Sequence, residues 1–256
     1  MTTQEARSFA PTRHEAILRL LADTGNVVSA DLAMRLGVSM DTVRRDLAEL
    51  EGAGQLQRVH GGAVRPAPGP RRFADRLAGD GDAKGVVAAL AARLVEPGQA
   101  IALGGGTSTL LLARALAPDL RATVVTASPD VALALREHPG VEVDLLGGRL
   151  DRVSQTVVGA DTVAQVRALR PDVCLVGACS VDPVAGVTLR EREEAHVERA
   201  LLECSARRVL LASAEKLGTA APYVVVGMED IDVLVTDAPR EDLRAYADRG
   251  VELVTP

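Results

Sequence analysis

The sequence predicts a mainly parallel α/β domain preceded by a small winged helix-turn-helix domain. From residue 82 onward, short apolar runs alternate with amphipathic helical stretches, a pattern typical of a parallel sheet covered by helices on both faces. Before residue 66, two short helical patterns meet at Gly37, and a basic hairpin pattern follows them. Three prolines then interrupt regular structure. We therefore expect domains at 1–65 and 79–256, joined by a linker at 66–78.

The charge of the chain is unevenly distributed. The net charge of the 256 residues is −6, but residues 1–76 hold 11 arginines against 9 acidic residues, whereas residues 77–256 hold 18 basic and 26 acidic ones. Because the acidic excess lies in the second part, the net charge does not exclude DNA binding by the first part.

Three other features limit the classes of protein to which the chain can belong. The chain has no signal-peptide pattern and no apolar run long enough to span a membrane. Its three cysteines lack the spacing of metal ligands and are expected to be reduced. We therefore expect a cytoplasmic protein without membrane contact, metal or cofactor.

The helical part of the N-terminal domain can be divided by its capping residues. After an irregular stretch at 1–11, a first helix is expected at 12–22. Ser29 and Ser39 are suitable N-caps for the second and third helices, and Gly37 can end the second helix in a left-handed conformation.

The third helix has a distinct inner and outer face. Val43, Leu47 and Leu50 recur at helical spacing and are expected to face inward. The opposite, outer face of this helix is polar and basic. A recognition helix presents a face of this kind to the major groove of DNA, although a helical corner with solvated arginines would have the same pattern. The residues of this helix expected to contact DNA are Ser39, Thr42, Arg44 and Arg45.

A wing is predicted directly after the third helix. Residues 54–59 and 63–65 can form a hairpin around His60-Gly61-Gly62, and a short strand at Val27-Val28 can pair with it. Arginines without acids nearby, and glycines that allow close backbone approach, suit phosphate contacts. A plain surface hairpin is the alternative. The wing residues expected to contact DNA are Arg58, His60 and Gly61.

The elements of the α/β domain follow from alternating periodicity. Helices are expected at 83–95, 107–117, 129–137, 160–169, 190–204 and 239–249. Strands are expected at 100–103, 123–126, 141–146, 173–176, 208–212, 224–226, 233–236 and 251–254. In such sheets ligands bind beyond the carboxyl ends of the strands, so the loops there are the candidate site.

Two of these loops have the composition of an anion site. Gly105-Gly106-Thr107-Ser108 joins a strand to a helix, where backbone N–H groups and the positive end of the helix dipole can bind phosphate. A tightly capped turn is the alternative. Lys216 follows another strand in a chain with only one other lysine, which favours a role for a compact ammonium group there.

Two further loops are weaker candidates. Thr126 and Ser128 precede a helix and are fully explained by capping, although they could also face a ligand. In the other loop, Gly147 and Gly148 allow close backbone approach, and Arg149 could bind phosphate in a bidentate manner. A solvated turn explains this loop equally well.

Residues 13–64 resemble the N-terminal winged helix of DeoR-type transcriptional regulators, above all in VSMDTVRRDL and RVHGGAV. The four loops, with DVCLVG at 172–177 and GVT at 186–188, resemble the C-terminal effector domain of the same family. The resemblance spans about 13–237. It implies a fold like that of ribose-5-phosphate isomerase and CoA transferases, with a phosphorylated sugar or sugar-like metabolite as inducer.

Three positions depart from the pattern of that family. Gly104 and Ser213 stand where many members have Asp, and Glu198 stands where many have Lys. The glycine loop that would bind phosphate is retained. The groups that would contact the sugar are changed, so the resemblance does not identify the effector.

These observations favour a DNA-binding transcriptional regulator, a repressor released from its operator by a phosphorylated metabolite. Such proteins commonly bind repeated half-sites, so a homo-oligomer, dimeric or larger, is expected. The alternative is a sugar-phosphate isomerase-like enzyme fused to a DNA-binding domain. No catalytic residues can be assembled from the sequence, because Ser213 removes one carboxylate and the four histidines lie in different segments. A methyltransferase or another nucleotide-binding regulator built on the glycine loop is less favoured, because this sequence lacks the acidic residue that would bind ribose.

Overall fold

The computed structural model describes residues 9–69, 72–79 and 81–256. The start of the chain, which the sequence predicts to be irregular, lies mostly outside these residues, and so do Pro70 and Arg71 of the predicted linker. The described residues form a winged helix-turn-helix followed by an α/β domain, which confirms the predicted fold class.

The ten α-helices of the described residues alternate with strands over most of the chain. They are α1 (Ala10–Thr24), α2 (Ser29–Leu36), α3 (Met40–Gly52), α4 (Phe73–Ala78), α5 (Gly81–Ala92), α6 (Thr107–Ala115), α7 (Pro129–Ala134), α8 (Ala160–Arg167), α9 (Arg192–Cys204) and α10 (Arg244–Ala247). Single 3-10 turns occur at Leu135–Glu137, Ala214–Lys216, Met228–Asp230 and Arg240–Leu243.

The strands belong to the wing, to one large parallel sheet and to smaller antiparallel pairs. They are β1 (Asn26–Val28), β2 (Gln57–Val59), β3 (Gly62–Pro66), β4 (Ala100–Leu103), β5 (Ala122–Thr126), β6 (Val141–Leu145), β7 (Arg149–Asp151), β8 (Thr156–Val158), β9 (Val173–Gly177), β10 (Ser180–Asp182), β11 (Gly186–Leu189), β12 (Arg207–Leu211), β13 (Thr219–Ala220), β14 (Tyr223–Val226), β15 (Val233–Val235) and β16 (Glu252–Val254).

The helix-turn-helix forms around its own apolar core. Val43, Leu47 and Leu50 of α3 are buried against the other helices, as their spacing predicts. Gly37 ends α2 with φ +65°, in the left-handed region that favours glycine. One predicted cap is wrong. Val28 occupies the N-cap of α2 and Ser29 is the first helical residue, because the pairing of β1 with β3 keeps Val28 extended beside Gly62.

The wing is a three-stranded sheet with β3 at its centre. β3 pairs antiparallel with β1 and with β2, as the predicted strand at Val27-Val28 requires. A Cβ at position 62 would lie 1.9 Å from the Val27 carbonyl oxygen, so only glycine allows β1 to come this close.

The α/β domain is built on seven parallel strands in the order β16-β15-β12-β9-β4-β5-β6. One apolar core lies on each face of this sheet. Alternate residues of a strand point to opposite faces, so that in β9 Cys174 belongs to one core and Leu175 to the other. Burial on both faces explains why these strands are almost continuously apolar in the sequence.

The short antiparallel pairs differ from the prediction. β7 pairs with β8, and β10 pairs with β11, although the sequence predicts none of these four strands. The helix expected at 239–249 is a 3-10 turn followed by the single-turn helix α10. Segments of two to four residues are too short to show a period, so the sequence could not reveal them.

The predicted linker is more ordered than its prolines suggest. β3 continues through Pro66, where it pairs parallel with β13 of the α/β domain, and the Ala67 N–H donates to the Ala220 carbonyl at 2.8 Å. α4 then forms within the range expected to be irregular. Proline is tolerated at the end of β3 because β13 is a two-residue edge that requires few backbone donors.

Candidate functional site

The outer face of α3 carries the polar residues that the sequence assigns to DNA. Arg44 and Arg45 are exposed, and Thr42 is partly exposed. Ser39 caps the helix, since its Oγ accepts a hydrogen bond from the Thr42 N–H at 3.2 Å. Arg44 Nη1 lies 3.2 Å from an oxygen of Asp41 one turn earlier, so this guanidinium is already oriented in the free protein.

The orientation of α3 depends on Asp46, a residue that the sequence analysis missed. The Asp46 carboxylate accepts hydrogen bonds from Nε and Nη2 of Arg13 on α1, both at 2.7 Å, and lies 3.3 Å from His14 Nε2. Burial raises the pKa of Asp46, but the hydrogen bonds and charge of Arg13 outweigh burial and leave this pKa below its usual value. The sequence signal that could have revealed Asp46 is an acidic residue next to Leu47 on a face of α3 that is otherwise apolar.

The wing is held against the end of α3 by Glu51. The Glu51 carboxylate accepts hydrogen bonds at 2.9 Å from the Arg58 backbone N–H and from Gln57 Nε2. His60 and Gly61 form the exposed tip, where Gly61 has φ +80°. The wing residues assigned to DNA thus lie on one exposed hairpin directly after α3.

A cleft in the α/β domain contains the predicted glycine loop. Gly105, Gly106, Thr107 and Ser108 all line this cleft, at the carboxyl end of β4 and the N-terminus of α6. Gly106 has φ +101° and stands directly before the first turn of α6, while Thr107 and Ser108 are buried. Backbone N–H groups at the start of a helix attract an anion.

The two lysines of the chain both line the same cleft. Lys216 comes from the loop after β12, where burial lowers its pKa to about 8, and the neighbouring charge of Lys84 acts in the same direction. Lys84 Nζ, on α5, donates to the carbonyl of Arg76 at 2.5 Å, and Arg76 on α4 also lines the cleft. The rarity of lysine that singled out Lys216 would have found Lys84 as well.

Two carboxyl groups of α9 line the same cleft as these cations. Glu194 and Glu198 are one helical turn apart and are 6% and 2% exposed. The Gly105 N–H donates to Glu198 Oε1 at 2.8 Å. Burial raises the pKa of Glu194 to about 7 and that of Glu198 to about 8, with the charge of Glu194 contributing to the second value.

Thr126 and Ser128 do not line the cleft. Both are buried between β5 and α7, where Thr126 Oγ1 accepts from the Ser128 N–H at 3.0 Å and Ser128 Oγ caps α7 through the Val131 N–H. Their hydroxyl groups are therefore used in capping.

The Gly147-Gly148-Arg149 turn also lies outside the cleft lining. Gly147 exchanges hydrogen bonds with the Gln165 side chain of α8, and a Cβ at Gly148 would lie 2.2 Å from Thr162 Oγ1. Arg149 is exposed and forms an ion pair with Glu193. Gly148 thus permits close packing on α8, and the structure brings none of the three residues to the glycine loop.

A continuous segment connects the cleft to the wing. Three residues after Lys216, β13 begins and pairs with the end of β3, placing Thr219 beside Arg65 and Ala220 beside Pro66. Arg65 Nη2 also donates to the Leu217 carbonyl at 3.0 Å.

The chain that leaves the wing contributes to the wall of the same cleft. Pro68 and Gly69, which follow β3, line the cleft together with Arg190. Arg190 donates to the carbonyls of Ala67, at 2.8 Å, and of Pro68. The cleft is thus bounded on one side by the polypeptide that forms the wing.

Within the described residues, no helix is long and apolar enough to cross a membrane.

Two family profiles match the chain. The profile of the DeoR-like helix-turn-helix domain matches residues 13–68, and that of the DeoR C terminal sensor domain matches residues 80–238. These two matches cover both parts of the structure.

Curated relatives are similar to the chain over most of their length. The HTH-type transcriptional repressor GlcR of Bacillus subtilis is 30% identical over 250 residues, covering 96% of each protein. The HTH-type transcriptional regulator GlpR of Haloferax volcanii is 31% identical, covering 88% of this chain and 89% of the relative. The glycerol-3-phosphate regulon repressor of Escherichia coli K12 is 28% identical, covering 89% and 90%.

Solved structures are similar at lower identity. The chain matches ribose 5-phosphate isomerase A of Methanocaldococcus jannaschii with a TM-score of 0.40 and 19% identity, covering 54% of this chain and 55% of the other. The TM-score is 0.45 and the identity 16% for the Probable sor Operon Regulator of Shigella flexneri, covering 65% and 90%.

Proposed function

The chain belongs to the DeoR family of transcriptional regulators, and from this premise we propose that an anionic, phosphorylated metabolite in the α/β cleft controls binding of the winged helix to an operator. The relatives named above are transcriptional regulators, so we propose no catalytic role for the cleft.

The DNA-binding residues of this proposal are those on α3 and the wing. Arg44 and Arg45 lie on the exposed face of α3, which would enter the major groove, and Thr42 lies beside them. The wing would contact the phosphate backbone. We assign Ser39, Thr42, Arg44, Arg45, Arg58, His60 and Gly61 to this DNA surface.

The metabolite site is the cleft around the glycine loop. The first turn of α6 and the ammonium group of Lys216 converge on the same space, which supports binding of a phosphate group there. We retain Gly105, Gly106, Thr107, Ser108 and Lys216 as ligand contacts and add Lys84 and Arg76. Thr126, Ser128, Gly147, Gly148 and Arg149 are left out, because capping, packing and a surface ion pair account for them.

The observation that carries the proposal is the strand pairing between the cleft segment and the wing. A ligand that draws Lys216 inward would move β13, three residues further on, and β13 pairs with the strand at the centre of the wing. A ligand that contacts Gly69 would act on the same strand, at the end that pairs with β13. The ligand can shift DNA affinity only by binding the two arrangements of the wing with different affinity.

Operator binding titrated with sugar phosphates tests this proposal. The operator is first selected from random DNA with the full chain, and release is then followed in the wild type and in Lys216→Ala. We expect Lys216→Ala to bind DNA like the wild type but to need roughly tenfold or more ligand for release, because one charge-assisted hydrogen bond is lost.

Arg114→Ala is the matched control, since it removes one exposed positive charge from α6 outside the cleft. It should respond to ligand like the wild type. If the two variants release DNA at the same ligand concentration as the wild type, the cleft is not the effector site. Turnover of a sugar phosphate by the wild type would favour the enzyme alternative.

A further inference from the structure

The cleft contains a buried carboxyl oxygen that the protein itself does not satisfy. Glu198 Oε1 accepts the hydrogen bond from the Gly105 N–H, whereas Oε2 is buried and has no hydrogen-bond partner among the residues that the structure describes. A buried polar atom without a partner is costly, so such atoms commonly have a role that involves another molecule.

The carboxyl group of Glu198 directly contacts the loop assigned to phosphate. A Cβ at position 104 would lie 2.5 Å from Glu198 Oε2 and 2.7 Å from Oε1, so the absence of a side chain at Gly104 makes room for this carboxyl. Two of the three positions at which the chain departs from its family's pattern are therefore in contact. Both positions lie beside the loop assigned to phosphate.

The remaining charges of the cleft also suggest a ligand that is not purely anionic. The lining holds four basic side chains and four glutamates. Glu194 projects from the same face of α9 as Glu198, one turn earlier. A site for a phosphate group alone would be expected to be positively charged overall, whereas this one holds as many acidic as basic side chains.

We propose that Glu198 and Glu194 form an acidic subsite that binds a protonated amine of the effector, so that the effector is a phosphorylated amino sugar. This inference rests on the proposed function, because it assumes that the phosphate group occupies the glycine loop. The phosphate would contact the first turn of α6 and Lys216, and the ammonium group would donate to Glu198 Oε2. A sugar hydroxyl could donate to the same oxygen but, unlike an ammonium group, it could not compensate the charge that the carboxyl acquires when it loses its proton.

The protonation of the two glutamates is compatible with binding of an ammonium group in place of a proton. Burial raises the pKa of Glu198 to about 8 and that of Glu194 to about 7, so the pair retains protons to a higher pH than exposed carboxyl groups do. An ammonium group, which stays protonated near neutral pH, can take the place of a proton. The other titratable groups coupled to the pair are Cys174 for Glu198, and Cys179, Arg76, Asp151 and Glu191 for Glu194.

Calorimetric titration of the full chain with matched pairs of ligands tests the subsite. The pairs are glucosamine and glucose 6-phosphate, galactosamine and galactose 6-phosphate, and mannosamine and mannose 6-phosphate, with inorganic phosphate as the common probe. In at least one pair we expect the wild type to bind the amino sugar tenfold or more tightly than its hydroxyl partner, since charge-assisted hydrogen bonds are roughly twice as strong as neutral ones.

Glu198→Gln and Glu203→Gln separate the subsite from a general charge effect. The first keeps the acceptor for the Gly105 N–H but removes the charge, so we expect it to bind the two members of each pair within about twofold of each other while still binding phosphate. Glu203 is exposed on the same helix, and its variant should behave like the wild type.

The outcomes distinguish this inference from the proposed function. Binding of phosphate or hydroxyl sugars without preference for any amine overturns the acidic subsite but leaves the phosphate site. A preference for the amine that persists in Glu198→Gln also overturns it. Failure of every phosphate compound, inorganic phosphate included, overturns both the subsite and the proposed effector site.

Discussion

The DNA surface and the cleft hold their charged residues in opposite ways. Arg44 and Arg45 are exposed and lie next to each other in the sequence, and all seven residues of the DNA surface fall within 39–61. In the cleft, by contrast, Lys84, Glu194 and Glu198 are buried, and the lysine comes from a segment more than a hundred residues before the glutamates. Exposed charges are screened and cheap to remove, whereas each buried charge is linked to stability and to its neighbours. The two regions should therefore respond differently to mutation.

The largest effect is expected where the DNA surface depends on a buried charge. Asp46→Asn should lower the free energy of unfolding of the winged helix by roughly 3 to 5 kcal/mol, because it removes one charge of a buried ion pair with Arg13. Urea unfolding of the full chain measures this loss, and DNA binding should fail with it.

Asp41→Asn is the matched control, because its ion pair with Arg44 is exposed, with side chains 84% and 67% accessible. Its effect should stay below about 1 kcal/mol. The pKa of Asp46 lies below its unfolded value, so its contribution is present above pH ~4 and is lost as the pH falls through the lowered pKa. Equal losses in the two variants would mean that burial does not distinguish these ion pairs.

On the exposed face of α3, loss of a charge should affect DNA binding alone. Arg45→Ala should weaken operator binding by about 1 to 3 kcal/mol if the guanidinium contacts a base, and it should leave the unfolding free energy unchanged. Arg44→Ala should behave similarly. Fluorescence anisotropy with operator DNA at fixed salt measures the change, and wild-type affinity in the double variant would remove α3 from the DNA surface.

In the cleft, loss of a charge should instead stabilise the protein against unfolding when no ligand is added. The pKa of Glu198 is raised to about 8 in the fold, so its ionisation is penalised increasingly as the pH rises from ~4.5 to 8. Glu198→Gln should therefore raise the free energy of unfolding by about 1 to 3 kcal/mol at pH 8 and by much less at pH 5. Urea unfolding at both pH values measures this gain, and Glu203→Gln is the control. A gain that does not depend on pH would contradict the raised pKa.

The smallest effect is expected for an arginine that the sequence assigns to the effector. Arg149 is exposed and pairs with Glu193 outside the cleft. Arg149→Ala should change stability by less than about 1 kcal/mol and leave ligand release of DNA unaltered. A clear loss of the ligand response, measured as for Lys216→Ala, would return this turn to the effector site.

The same contrast explains what the sequence could predict. The DNA surface is local, so the spacing of Val43 and Leu47 already separates the inner face of α3 from its outer face. The parallel strands could be predicted equally well, because burial on both faces makes them continuously apolar in the sequence. The cleft depends on which strand ends and helices meet, so the sequence found Lys216 but not Lys84, and it gave no sign that Gly104 and Glu198 are in contact.

The pairing of β3 with β13 joins the two regions, and it is absent from any local pattern. β13 has only two residues, and its partner lies more than 150 positions earlier in the chain. In the proposed mechanism, this pairing would transmit ligand binding in the cleft to the wing.

Hydrogen exchange of the Ala67 N–H tests that control most directly. This amide donates to the Ala220 carbonyl at the junction of wing and cleft. We expect a sugar phosphate that binds the full chain to change exchange at residues 105–108 and 216–220 and also at Ala67 and along β3. A ligand that releases operator DNA and alters exchange at 105–108 and 216–220, but leaves Ala67 and β3 unchanged, would contradict transmission through this pairing.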